Sequence, residues 1–306
     1  MKELWHGYVD IGLIHSMAYP ATGKGDGPYA ETLRNISNDL FFGAVEIRRP
    51  ADAQTKEKAK KVTEVSGIRV VLAGQPPLLG GKLNLNAENN EERKKAIEDV
   101  KKSIDDAVYF NAEKVIVLSG PHPGAEKKET ALKLLIESLK ELSAYAKEKS
   151  KIFSLETFDD TIDKKCLIGV SEDSVKLAEE VKKTYSNFGL TIDLSHLPLL
   201  NEKSEYALET VKSCLNHVHV GNCYMKDKTN PAYGDVHPRF GYPGSENGAA
   251  ELAEFLRALF KIGYLKNTMS AKPPIVSFEV KPVGDEDPEA VIASAKRTWK
   301  AAWALV

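Results

Sequence analysis

Residues 151–196 read KIFSLETFDDTIDKKCLIGVSEDSVKLAEEVKKTYSNFGLTIDLSH, and this stretch contains the repeating unit of the whole chain. A short apolar run, Ile152–Leu155, leads to an amphipathic stretch that opens at Ser171-Glu-Asp, a helix-start signal. A second apolar run follows at Leu190–Ile192. Working outward, the same alternation holds from end to end. Upstream the strand candidates are Tyr8–Ile14, Ala44–Ile47, Arg69–Ala73 and Lys114–Leu118; downstream they are His217–Val220 and Ile275–Phe278. Helical patterns with apolar residues every three to four positions fill residues 129–149 and 248–265. The last helix follows Asp287, with Pro288 suited to its first turn. Strands alternating with helices predict a parallel sheet, and eight such units predict closure into a (β/α)8 barrel. The expected fold class is therefore α/β, a single TIM barrel over residues 1–306. The competing open doubly wound sheet loses its commonest support, because no G-x-G-x-x-G or G-x-x-x-x-G-K-[ST] follows any strand.

Composition narrows the function classes. The 306 residues are 42% hydrophobic and 28% charged, ordinary for a folded chain and far from disordered or fibrous compositions. Lys and Arg total 42 against 44 Asp and Glu, a formal charge of −2, so no broad basic footprint points to nucleic acid. Cys166, Cys214 and Cys223 are too few and too scattered for a disulfide framework or a cysteine-rich zinc site. The stretch MKELWHGYVDIG lacks a signal-peptide core, and no apolar run approaches the roughly 18–20 residues that span a bilayer. The expectation is a cytoplasmic protein without nucleic-acid or membrane partners.

Active sites of such barrels gather where strands end at the C-terminal face. The last four strands each end in a metal-ligand type: Glu156 after the fifth, Asp193 after the sixth with His196 three residues on, His219 in the seventh, and Glu279 after the eighth. His217 shares a face with His219 but lies one pleat deeper, which suits a core or supporting histidine better than a ligand. Buried together, two glutamates and an aspartate repel one another unless protons or a cation neutralise them. A divalent cation held by Glu156, Asp193, His219 and Glu279 is the simpler solution. The oxygen-rich set suits Mn2+, Mg2+ or Co2+, with Zn2+ also admitted.

Three loops after strands are long, at residues 15–28, 75–90 and 223–247, and long loops are usually functional. In the third, YGDVHPRFGYPGSENG, Asp235 and His237 are placed to contact substrate or a second ion, and its glycines permit tight turns. Lys281 points the same way as Glu279 and suits an anionic group. Of Arg48 and Arg49 at most one faces the mouth and the other is ordinary solvated surface, with Arg48 the candidate for substrate and Glu46 a potential buried partner for it. His122 reads as a loop histidine.

At these residues the chain resembles the xylose isomerase-like barrel superfamily, in particular its sugar phosphate isomerase/epimerase branch, which is related to ketose 3-epimerases and to endonuclease IV. The matching pieces are the LE of strand five, Asp193-Leu-Ser-His196, VHVGN around His219, the D-x-H-x-x-x-G from Asp235 to Gly241, and the FE of strand eight. The resemblance implies that Glu156, Asp193, His219 and Glu279 hold the metal, that the two glutamates exchange a substrate proton, and that His196 binds a substrate oxygen. It also implies homodimers or homotetramers. The D-x-H piece is closer to endonuclease IV, where it holds an additional zinc ion. That enzyme also needs histidines at two earlier strand ends; here one ends in Gln75 and the other offers only the displaced His122. The epimerases place an arginine after the strand-seven histidine, where this chain has Met225 and Lys226, a departure that counts against a free monosaccharide.

The expected activity is thus a divalent-metal-dependent isomerisation or epimerisation of a small sugar or sugar-derived hydroxy-carbonyl compound, with Glu156 and Glu279 as acid and base. The alternatives are a metal-dependent lyase of the inosose or dehydroshikimate dehydratase type, an endonuclease IV-like phosphodiesterase, or a non-catalytic sugar-binding barrel.

Overall fold

The computed structural model describes residues 4–267 and 272–306, and these form the expected closed barrel of eight parallel strands in chain order. The strands are β1 (Asp10–Ile14), β2 (Ala44–Arg48), β3 (Arg69–Ala73), β4 (Lys114–Leu118), β5 (Ile152–Glu156), β6 (Phe188–Asp193), β7 (Leu215–Gly221) and β8 (Ile275–Glu279). Each is followed by an outer helix, among them Asn90–Tyr109, Lys128–Glu148, Ala249–Lys261 and Pro288–Leu305. Helix starts use the signals that the chain supplies: the carboxylates of Asp52 and Asp287 and the amide oxygen of Asn89 accept backbone N–H bonds in the first turns.

Strand β1 begins later than the apolar pattern suggests. The N–H groups of Tyr8 and Val9 bond back to the carbonyl of Trp5, so a tight turn uses them before sheet pairing starts at Asp10. The loops read as long are partly ordered, with short helices at His15–Ala18 and Gln75–Gly81.

Alternation along the strands sends one set of side chains outward to the helices, where Val45, Leu72, Leu155, Ile192, Val218 and Phe278 join the main apolar core. The other set fills the barrel. Ala44, Val71, Ile116 and Ile275 make a small apolar layer inside it. Above that layer the inward positions of β2 and of β5 to β8 are mostly polar and become the site, while Ile14 and Ala73 add apolar wall to it. Gly12 has no side chain because β8 leaves no room: a Cβ there would stand 2.3 Å from Ser277 Oγ.

Candidate metal centre and active site

The C-terminal end of the barrel opens into a cavity of about 820 Å³, whose wall includes Arg48, Glu156, Asp235, His237, Glu279 and Lys281. Six of the residues selected from sequence thus reach one cavity. Asp193 and His219 lie beneath it, fully buried.

Glu156, Asp193, His219 and Glu279 each bring one ligand atom into a group in which all atoms lie within 4.8 Å of one another. The strand period places them: Glu156, Asp193 and Glu279 end β5, β6 and β8, and His219 stands opposite Asp193 in the β6–β7 register. His219 Nδ1 is 2.8 Å from Glu156 Oε1 and 3.2 Å from Glu279 Oε2. Asp193 accepts the Ser195 N–H at Oδ1, whereas its Oδ2 is buried without a hydrogen-bond partner. Burial pushes the Asp193 carboxyl above its usual range. Three carboxylates around one imidazole, with an orphaned oxygen among them, fit a divalent cation.

Below this group lies a chain of buried polar residues. Glu46 Oε2 is 3.1 Å from His219 Nε2, and Glu46 Oε1 is 2.6 Å from His217 Nε2. On the far side of His217, Lys114 Nζ is 3.2 Å from Nδ1 and donates to the Asn216 carbonyl at 2.6 Å. Burial and the Lys114 ammonium push His217 down to about 3, so this imidazole is neutral. Burial opposes ionisation of Glu46, but His219 and His217 hold its carboxyl well below the usual range. Glu46, His217 and His219 also cluster tightly enough for a metal, but the Lys114 ammonium beside them already supplies the positive charge. His217 is therefore a supporting residue, as its depth in the strand suggests. The expected Glu46–Arg48 pairing is corrected: on a strand they share a face but sit one layer apart, and Glu46 points down to the histidines. Arg48 instead donates to the Gly23 carbonyl, while its Nε is buried without a partner. Arg49 is corrected too. It is half-buried, borders the same cavity and pairs with Asp99 at 2.7 Å.

The second cluster is built by two loops. Asn222 ties the ends of the β7 loop together, its Oδ1 accepting the N–H groups of Cys223 and Asn247. Within that loop His237 takes a left-handed backbone, and its carbonyl accepts the Lys281 N–H at 2.7 Å. Gly221 makes this packing feasible, since a Cβ there would lie 2.7 Å from the Glu279 carbonyl and 3.0 Å from His237 Nδ1. Asp235 Oδ1 then receives two imidazoles, His237 Nε2 at 2.8 Å and His196 Nε2 at 3.0 Å. His237 Nε2 also lies 3.3 Å from Glu279 Oε1. His196 is one layer back from the cavity, between the Thr157 carbonyl and Asp235, with the Phe158 ring against it. Burial works against protonation of both histidines, but Asp235 raises His196 to about 10, and Glu279 with Asp235 raises His237 to about 8.

The loop after β5, residues 157–170, supplies residues that the sequence reading passed over. Buried Asp159 accepts the backbone N–H groups of Ile162, Asp163 and Lys164 at 2.7–2.8 Å, folding the loop into a tight turn. That turn delivers Lys164 Nζ to 3.2 Å from Asp235 Oδ2 and 2.9 Å from Asp163 Oδ2. Gln75 was also missed: its Nε2 donates to Glu156 Oε2 at 2.6 Å. The signals were present, in an Asp-rich loop as long as the shortest of those singled out and in a polar residue just past β3. Asp193, His196 and His237 form a further group of potential ligands, yet both oxygens of the neighbouring Asp235 are engaged and one carries the Lys164 ammonium. A second cation fits poorly there.

Residues 37–301 match the family described as xylose isomerase-like TIM barrel. Among solved structures, a D-tagatose 3-epimerase-like protein superposes with a TM-score of 0.73 at 18% identity, covering 97% of this chain and 98% of that one. The D-psicose 3-epimerase of Clostridium cellulolyticum H10, crystallised with D-tagatose, gives 0.70 at 17% identity, with 97% and 99% covered. The IOLI protein with a bound zinc atom gives 0.72 at 17% identity, with 97% and 99% covered. No curated protein matches the chain in sequence.

Proposed function

The chain belongs to the xylose isomerase-like TIM barrel family, and on that premise we propose that it is a divalent-metal-dependent isomerase or epimerase of a small sugar or sugar-derived hydroxy-carbonyl compound. The observation that carries this reading is the convergence of Glu156, Asp193, His219 and Glu279 within 4.8 Å at the floor of the cavity, with Asp193 Oδ2 unpartnered. These four residues hold the ion, with Mn2+, Mg2+ or Co2+ suited to the oxygen-rich set and Zn2+ compatible with it. When bound, the cation polarises a carbonyl and an adjacent hydroxyl, acidifying the hydrogen on the carbon beside the carbonyl.

Glu156 and Glu279 are the proton-transfer groups, because both border the cavity and come from different sides of the ring. Gln75 fixes the Glu156 carboxylate by its amide, and His237 bears on Glu279. His237 and Asp235 contact substrate oxygens from the loop side, while His196 positions Asp235 from behind. Arg48 and Lys281 face the same space and favour an anionic substituent, consistent with Met225 and Lys226 standing where the epimerases place an arginine shortly after this histidine. Removal of the proton by one glutamate and its return by the other to the opposite face of the same carbon yields the epimer; return to the adjacent carbon, with the hydroxyl proton passing between the two oxygens, yields the aldose–ketose isomer.

The lyase reading is favoured by one specific contact, that of His237 with Glu279, which sets a proton donor for a leaving hydroxyl beside a base. Incubating a panel of ketoses, ketose phosphates and inososes with Mn2+-loaded protein in deuterated water separates the cases. Deuterium incorporation without mass loss supports the isomerase, and loss of water supports the lyase. Exchange that survives exhaustive metal removal overturns both.

A further inference from the structure

We propose that Lys164 is a built-in monovalent cation that takes the place of a second metal ion at Asp235, so that this barrel holds a single dication. The inference rests on the metal site of the preceding reading and concerns the residues beside it.

The geometry is specific. Lys164 Nζ lies 3.2 Å from Asp235 Oδ2, 3.0 Å from the Asp235 carbonyl and 2.9 Å from Asp163 Oδ2. Nζ donates to the Asp163 carboxylate and the Asp235 carbonyl, and pairs by charge with Asp235 Oδ2. The lysine is not a surface side chain that happens to fold over. Its own N–H bonds to buried Asp159 Oδ1, and Asp163, its neighbour, accepts the Asp235 N–H at 3.0 Å. Two loops, after β5 and within the β7 connection, are thus stitched together at this ammonium.

Asp235 Oδ1 is engaged equally fully, by His196 and His237 at 3.0 and 2.8 Å. A dication drawn to these imidazoles would share one buried carboxylate with a fixed ammonium only 3.2 Å from it. Like charges so placed repel strongly, and the negative charge of Asp235 is already balanced. The group around Asp193, Glu156 and Glu279 lacks any such lysine, which is why the two neighbouring clusters differ in what they can hold.

The test is a metal count on the full-length protein after chelation and equilibrium dialysis against Zn2+ and, separately, Mn2+. The native chain is expected to retain one ion. Lys164→Met is expected to retain two, the second bound at least tenfold more tightly than any second ion on the native chain. Lys164→Arg keeps the charge and is expected to stay at one, and Asp235→Asn in the Lys164→Met background returns the count to one. Ring 15N signals of His196 and His237 provide an independent readout: in the native protein carrying one ion, they stay in place as Zn2+ is raised beyond the first equivalent. Two ions on the native chain, equal counts in native and Lys164→Met, or native His196 and His237 signals that move further once the first Zn2+ equivalent is bound each overturn the proposal. A native count of zero against one in Lys164→Met instead removes the metal reading of Glu156, Asp193, His219 and Glu279 while supporting the role of Lys164.

Discussion

Glu46 Oε2 lies 3.1 Å from His219 Nε2, on the edge of the imidazole opposite the one that meets Glu156 and Glu279. A carboxylate in that position holds the Nε2 hydrogen, so that with the proposed ion in place Nδ1 would offer its lone pair toward the cavity floor. Glu46 comes from β2, far in sequence from Glu156, Asp193, His219 and Glu279, and is itself held by His217.

The first prediction follows from that contact. Glu46→Gln keeps the shape but can no longer hold the Nε2–H edge of the imidazole by charge, and weakens metal binding by roughly 10- to 100-fold. Titration calorimetry on chelated protein measures it. An unchanged affinity would show that Glu46 serves packing alone.

The two glutamates give the second prediction. Glu156→Gln and Glu279→Gln each remove a proton carrier and lower solvent deuterium exchange by about 10²- to 10⁴-fold. Because both groups also belong to the proposed metal set, the measurement is made at saturating Mn2+, with binding checked separately. Retention of full exchange in either variant removes that glutamate from the reaction.

Much of this was legible because a barrel strand obeys a simple rule. β3 and β4 match their apolar runs end to end, while the runs for β5, β6, β7 and β8 stop one residue early, at Leu155, Ile192, Val220 and Phe278. Their final residues are Glu156, Asp193, Gly221 and Glu279, so the polarity that hides a strand end also marks the site. What stayed hidden depends on tertiary contact. Glu46 and Lys114 sit within strands, and no spacing shows that they meet the two histidines of β7. Lys164 reads as one of two adjacent loop lysines until the Asp159 turn places it on Asp235.

The third prediction concerns the cavity wall. Among the described residues, Lys24 and Lys281 border the cavity without a carboxylate in ion-pair reach, and Arg48 Nε has no partner. An anionic sugar gains charge-assisted hydrogen bonds there, typically about 1.5–3 kcal/mol each. A pentulose 5-phosphate is expected to bind roughly tenfold or more tightly than the free pentulose, with the advantage shrinking as salt rises. Lys281→Gln and Arg48→Gln each reduce it. Equal affinity for the charged and neutral sugars in a direct binding assay counts against the role of these residues.

The fourth prediction lies at the opposite end of the barrel, where stability and not chemistry is expected to be set. Arg69, the first residue of β3, grips both oxygens of Glu113 at 2.7 Å and reaches Asp10 at 2.6 Å, joining the starts of β1, β3 and β4. Partial burial opposes ionisation of Glu113, but Arg69 and Lys272 hold it at about 2, below its ordinary 4.5. A carboxyl depressed in the folded state stabilises fully above its unfolded value and loses that contribution as pH falls through its folded one. The contribution is therefore complete above about pH 5 and fades between about pH 4.5 and 2. At neutral pH it is on the order of 2 kcal/mol. Glu113→Gln is expected to lower stability at pH 7 by about that amount and to flatten the acid limb of the stability curve relative to the native protein. Denaturant melts at pH 7, 4 and 3 decide it: a difference between native and variant that stays constant across these pH values shows that Glu113 acts through shape and not through its charge.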